Sequence, residues 1–298
     1  MSLAFLAAVL FAASAVCGQG LTRQLGGISA NALRITIACT LLAILSSIVT
    51  PGQWYRSTVP WLMFSGALGF GLGDIALYVA YPLMGARLAV LVNLCLATLV
   101  GALADWAFLG TQLTLLEVGA AAVTLTGIVM ALHRKDEPFQ WNVGLGLTLF
   151  AGTCQGIGLM LSRHAQAISR SNEQPMSGLS QAFQRTLGGV LVGWTVWCLM
   201  RWSSAGHKLT LPRETTRRLP LWLIGASIFG PVAGVSAMQV ALEQVGSSAI
   251  VSAITATAPL LLLPFSRLID RERPTSRAMT GSLIAVLGLA ALAWLRQR

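Results

Sequence analysis

Long apolar runs separated by short polar loops dominate the chain. Ten windows can be read from them: 3–22, 31–49, 60–81, 84–107, 113–132, 142–161, 178–200, 219–242, 247–266 and 276–295. A helix rises 1.5 Å per residue, so about 20 apolar residues cross the ~30 Å hydrocarbon layer of a bilayer. Few windows hold more than one charge. None alternates apolar and polar residues as a membrane β-barrel does, so helices must satisfy the backbone. The pattern predicts an all-α polytopic membrane protein with ten transmembrane helices.

Composition agrees with this reading. Of 298 residues, 55% are hydrophobic and 10% charged, against about 25% charged in soluble domains. The net charge of +10 does not point to nucleic acid, because the basic residues lie in short loops where they act as topology signals. Thirteen Lys and Arg flank the loops between windows 1–2, 3–4, 5–6, 7–8 and 9–10. Five lie on the other side: Arg56, Arg163, Arg170, Arg296 and Arg298. The bias places the richer side in the cytoplasm and both termini outside. No Lys or Arg precedes the first apolar run, which reads as a retained helix rather than a signal peptide. The five cysteines all fall in helix windows, lack a CxxC pair and read as small buried apolar residues. His133, His164 and His207 show no ligand spacing, so neither a metal nor a cofactor is expected. Trp54, Trp61, Trp106, Trp141, Trp202, Trp222 and Trp294 lie near span ends, as an interfacial belt predicts.

The chain also repeats itself. Displaced by 161 residues, Trp61-Leu62 meets Trp222-Leu223, Gly69 and Gly73 meet Gly230 and Gly234, and Gly127 meets Gly288, with no gap. Arg34 and Arg185 add a looser match near the start of the second helix of each half. The boundaries read as 1–132 for a first five-helix repeat, 133–141 for a polar connecting loop and 142–298 for a second five-helix repeat. Five is odd, so the second copy enters the membrane from the opposite side. Inverted repeats of this kind mark many secondary transporters, whose sites lie near the midplane between the repeats.

Two segments carry a family likeness: "FLGTQLTLLEVGAAAVTLTGIVM" (108–130) and "SSAIVSAITATAPLLLLPFSRLIDRERPTSRAMTGSLIAVLGLAAL" (247–292). Each half resembles an EamA-type domain of the drug/metabolite transporter superfamily. That pattern is a small-residue helix with Pro, a loop with Glu, and a helix with spaced glycines. Pro259, Glu272, Gly281 and Gly288 fit it in the second copy; Thr98 and Thr111 replace the Pro and Glu in the first. The resemblance implies a ten-helix carrier of small metabolites or drugs, with the last helix of each repeat at the periphery. It also implies an orientation opposite to the charge count.

Within the spans, "GFGLGD" (69–74) draws attention. Gly69 and Gly73 are spaced to share a helix face and admit a neighbouring helix, and Gly230 and Gly234 repeat the spacing. Asp74 does not recur, since its counterpart is Val235. An ionised group at the bilayer centre costs about 2.5–3.5 kcal/mol on insertion scales and should face the bundle interior. It can exchange a proton, balance a cationic or zwitterionic cargo, or pair structurally with Arg34 or Asn93. Asp74, Tyr78 and Tyr81 share one helix face. Gln19, Asn93, Gln155 and Gln239 are further substrate-binding or coupling candidates, or bridges between helices. Arg34 and Arg185 lie near helix ends and are expected to snorkel; Glu117 and Asp105 are expected to be solvated at the interface. Pro231, Pro259 and Pro264 should bend the eighth and ninth helices.

The function these residues predict is secondary active transport of small metabolites or drugs by alternating access, with proton coupling through Asp74 as one version. HExxH, GxSxG and GxxxxGKS/T are all absent, which argues against an enzyme or a nucleotide-driven pump. A non-transporting sensor or assembly subunit is the alternative, with a channel behind it. The partners expected are a small-molecule substrate, protons and the lipid bilayer, not nucleic acid, with a homodimer left open. The location expected is the cell membrane, crossed many times, in a bacterial inner membrane.

Overall fold

The computed structural model describes residues 2–109, 114–132, 142–174, 176–203, 218–245, 255, 257–262 and 275–295. All regular structure among them is helical. The first half holds α1 (Ser2–Leu25), α2 (Gly27–Val49), α3 (Val59–Gly66), a π-helical segment π1 (Ala67–Gly73), α4 (Asp74–Met84), α5 (Ala86–Leu109) and α6 (Leu115–Leu132). The second holds α7 (Val143–Ser171), α8 (Gly178–Ser203), α9 (Leu219–Ser227), π2 (Ile228–Gly234), α10 (Val235–Val245), α11 (Ala258–Leu261) and α12 (Ser276–Leu295). Eight helical stretches among the described residues are long and apolar enough to cross a bilayer. The long helix α8 is less apolar because Ser180, Gln181, Gln184 and Arg185 are buried inside the bundle instead of facing lipid. Predicted window 247–266 lies mostly outside the described residues, as do the connecting loop 133–141 and Pro264. Pro259 sits in the first turn of α11, where a missing N–H costs no helical bond.

Local chemistry explains the turns. Gly26, between α1 and α2, has φ 73°, and Gly85, between α4 and α5, has φ 80°. Both reverse the chain in a region a Cβ disfavours. At the start of α6, Glu117 is buried, not solvated as expected. Its Oε2 accepts from Thr114 N at 2.6 Å, while Glu117 N donates to Thr114 Oγ1 at 3.3 Å. This is a capping box, legible as Thr-x-x-Glu at 114–117. Arg87, counted as a loop charge, is also buried and donates to Ser282 Oγ at 3.2 Å.

The third and eighth predicted spans are each interrupted by a π-helical turn. The two turns, 67–73 and 228–234, are displaced by the same 161 residues as the sequence repeat. Pro231 lies inside the second, but Phe70 holds that place in the first, so proline is not what makes the turn. The glycine pairs 69/73 and 230/234 are common to both. Single π turns in α-helices gather at functional sites.

Helices in matching places run antiparallel. Ser46 Oγ bonds Ser180 Oγ at 3.0 Å, and Trp194 Nε1 donates to Thr36 Oγ1 at 2.9 Å, so α2 and α8 cross in opposite directions. A Cβ on Gly127 would lie 2.7 Å from Ala285 Cα, and one on Gly288 2.7 Å from Thr124 N. These two contacts exchange under the 161-residue displacement, so α6 and α12 meet across a local pseudo-twofold. That pair forms a flank with Leu116, Val118, Val129, Leu283 and Leu287 exposed outward. Exchange recurs inside: Ser65 Oγ donates to Gly158 O at 2.5 Å from α3 to α7, and Ser14 Oγ to Ala226 O at 3.2 Å from α1 to α9. At one end the α2–α3 turn meets the α7–α8 turn, where Gln53 Oε1 accepts from Ser177 N at 2.7 Å. Trp54, Trp61, Trp106, Trp202 and Trp294 are exposed near helix ends. Trp222 instead packs on Gly20, and Trp141 lies outside the described residues.

Candidate functional site

A cavity of about 670 Å³ lies where the halves meet, with walls from α1, α2, π1, α4, α5, α7, α8, π2, α10 and α12. Its size falls in the range of small-molecule sites. At one end a packed cluster that includes Leu21, Tyr78, Tyr81, Ala226 and Leu262, with Leu25, Met84 and Trp222 against it, fills the space on the side of the Gly26 and Gly85 turns. Toward the other end the lining continues along α7 to Ala167 and Arg170, both exposed.

Asp74 opens α4 immediately after π1 and is buried, with 7% exposure. Both its oxygens are occupied. Arg34 Nη2, from α2, donates to Oδ2 in an ion pair, and Gln155 Nε2, from α7, donates to Oδ1 at 2.7 Å. The chain of bonds continues: Asn93 Nδ2 donates to Gln155 Oε1 at 2.8 Å, and Arg34 Nη2 to Asn31 Oδ1 at 3.0 Å. Asn31 Nδ2 in turn reaches Phe70 O in π1 at 3.0 Å. The Arg34 guanidinium lies 4.6 Å from the Tyr78 ring centre, and the Tyr78 and Tyr81 rings are 5.1 Å apart. Tyr78 can sit there because Gly18 of α1 leaves room: a Cβ would come 2.8 Å from its hydroxyl.

Five of the predicted polar candidates thus come together: Asp74, Tyr78, Tyr81, Asn93 and Gln155 all line the cavity. Gln19 is buried but is not among the lining residues. Gln239 belongs to α10, and its side chain lies outside the described residues. The glycines divide. A Cβ on Gly73 would press on Gln155 Cγ at 3.2 Å, and one on Gly234 on Phe11 Cε1 at 2.7 Å. Gly230 faces Ser14 and Arg34, while a Cβ on Gly69 would meet only Arg185 Nη2, at 3.9 Å. In a π turn the hydrogen bonds run from i to i+5, so residues four apart no longer stack on one face.

The arginines are what the residue-by-residue reading undervalued. Arg34 and Arg185 do not snorkel; they are 5% and 7% exposed and both line the cavity. Arg185 lies 4.9 Å from the Phe70 ring centre. Arg163 and Arg170, scored as loop charges, line it too. The usable signal was already present: an ionisable residue inside a span, repeated in both halves, is a site candidate by default. Among the described residues no cluster of His, Cys, Asp and Glu could hold a metal ion.

Comparison with known proteins bears on the whole chain. No protein of curated function matches it. A solved structure described only as "Crystal structure of protein" is similar over 99% of this chain and 97% of its own length, with a TM-score of 0.66 at 16% identity, and so shares the fold. The model of the EamA-like transporter family matches residues 1–133 and again 142–294. The chain therefore belongs to the EamA-like transporter family.

Proposed function

We propose that this transport protein is a secondary carrier built from two inverted five-helix repeats, 1–132 and 142–298 joined by 133–141, that rock about the central cavity. Family membership makes it a multi-pass membrane transporter and not an enzyme. The carrier mechanism rests on one observation above all: both halves wall a single cavity, α2 and α8 among its walls cross antiparallel, and the buried Asp74–Arg34 pair lines it. The filled cluster around Tyr78, Tyr81 and Leu262 would be the closed gate of this state. Opening it while closing the α7 end exposes the same site to the other side. The cargo is a small metabolite or drug, and the helical bundle suits a bacterial inner membrane.

Proton coupling, in this reading, runs through Asp74, the sole acid among the described residues lining the cavity. Arg34, Arg185, Gln155, Tyr78 and Tyr81 surround it. Removing Arg87, Arg163 and Arg170 from the topology count leaves the charge bias in the same direction, with both termini outside.

Counterflow in proteoliposomes tests the carrier reading. Solutes from a metabolite-resistance screen are loaded inside and exchanged for labelled solute outside. A carrier accumulates label transiently above its equilibrium level, driven by the outward gradient of unlabelled solute. A channel only equilibrates it, and a sensor or assembly subunit moves none. Loss of pH dependence in Asp74→Asn with exchange retained would support the proton route; unchanged pH dependence would remove it.

A further inference from the structure

The two halves repeat their arginines but not their acid. Arg34 and Arg185 occupy matching helices, and each faces the π turn of the opposite half: Arg34 Nη1 lies beside Gly230, and Arg185 Nη2 beside Gly69. Asp74 follows π1 and pairs with Arg34. Val235 follows π2 in the same register and belongs to an apolar cluster with Ala182, one helical turn from Arg185. Among the described residues the Arg185 guanidinium has neither a hydrogen-bond acceptor nor an ion-pair partner, and its Nε is buried and unsatisfied. A buried charge without a partner is costly. A guanidinium is always protonated in proteins, so the group cannot escape the cost by neutralising.

We infer that Arg185 is an anion subsite and that the cargo is an organic monoanion, a carboxylate on an apolar body, which supplies the charge that Val235 omits. This rests on the carrier reading above. Asp74 makes its ion pair with Arg34, which leaves Arg185, among the described residues, as the buried guanidinium of the cavity without an ion pair, and one carboxylate would satisfy it. Arg163 and Arg170, toward the α7 end of the lining, add positive potential along the approach. A cationic cargo would meet that potential, and both Asp74 oxygens are already bonded. The ammonium of a zwitterion has no unengaged carboxylate among the described residues lining the cavity. Phe11, Phe70 and Val235, which line the cavity and cluster with Ala182 one turn from Arg185, suit an apolar body. The planar guanidinium fork matches a carboxylate in two parallel bonds.

The test uses the purified full-length chain in detergent, with thermal unfolding followed by tryptophan fluorescence. Phenylacetate, 2-phenylethylamine and phenylalanine carry the same ring with different charge, and inorganic phosphate supplies an anion without an apolar body. Saturable stabilisation by phenylacetate, stronger than by the other three, is expected. Arg185→Gln should weaken it by about tenfold to a hundredfold, and Arg185→Lys by less. Val235→Asp supplies the missing acid from within and should weaken it equally, even if Arg185→Gln does not fold. Larger stabilisation by the amine, the zwitterion or phosphate overturns the assignment. So does an equal phenylacetate effect in Arg185→Gln or Val235→Asp, or no effect of phenylacetate on the parent chain. Counterflow separates the two claims. Exchange of a solute that Arg185→Gln leaves unchanged keeps the carrier and removes the anion subsite. Arg185-dependent phenylacetate binding without exchange of any solute keeps the subsite and removes the carrier.

Discussion

Replacing Asp74 by alanine leaves the Arg34 guanidinium inside the bundle without its counter-ion. The Arg34 and Asp74 side chains are 6% and 10% exposed, so solvent screens the pair weakly. Removing one partner of a buried pair costs about 3–5 kcal/mol, because the surviving charge is stranded. Gln155 also loses the acceptor it holds at 2.7 Å, and that loss is part of the same cost. Replacing both partners at once, with Arg34→Met and Asp74→Leu, removes the stranded charge, and apolar replacement of a buried pair is often neutral or stabilising by about 1–4 kcal/mol. The double variant should therefore be more stable than Asp74→Ala alone while losing transport. The assay is reversible unfolding of the purified protein in mixed micelles with rising SDS, followed by circular dichroism. A destabilisation by Asp74→Ala below about 1 kcal/mol would refute the reasoning, since that is the worth of an exposed pair. A double variant less stable than either single would refute it equally.

Three further outcomes follow from the packing. Gly288→Ala puts a Cβ 2.6 Å from Thr124 Oγ1, and Gly127→Ala puts one 2.7 Å from Ala285 Cα. Each should cost about 1–3 kcal/mol by overpacking, in similar amounts because the contacts are pseudo-symmetric; the SDS titration reads both. Gln155→Leu strands Asn93 Nδ2 and leaves Asp74 Oδ1 without its donor. It should cost about 1–3 kcal/mol and slow counterflow. Gly18→Leu collides with Tyr78, whose hydroxyl lies 2.8 Å from a Cβ there, and should slow exchange by blocking closure of that gate.

The spans were legible because the bilayer demands one signal, a run of apolar residues, and the chain supplies it almost everywhere. Inversion was the expectation from the sequence because five spans per copy is an odd number, and the matching helices α2 and α8 do cross antiparallel. What sequence periodicity could not show was the π turn: Gly69 and Gly73 fit an α-helical face, and only the observed hydrogen-bonding reveals the wider winding that parts them. Asp74 stood out because acids are rare in spans and this one has no counterpart. Its partner was less obvious, since an arginine two turns into a helix also fits a snorkelling side chain. Position along the helix does not reveal direction, and Arg34 and Arg185 point inward. Glu117 was misread for the opposite reason: the interface suggested solvation, while the local Thr-x-x-Glu pattern specified a buried cap.

Sidedness of the turns in sealed membrane vesicles tests the inverted architecture most directly. Single cysteines are introduced at Gly26, Gly52, Gly85 and Asn172 in a cysteine-free background and labelled with an impermeant maleimide. The account predicts that Gly52→Cys and Asn172→Cys react from one side and Gly26→Cys and Gly85→Cys from the other. Labelling of Gly26→Cys and Asn172→Cys from the same side would place the matching turns of the two halves together and contradict it.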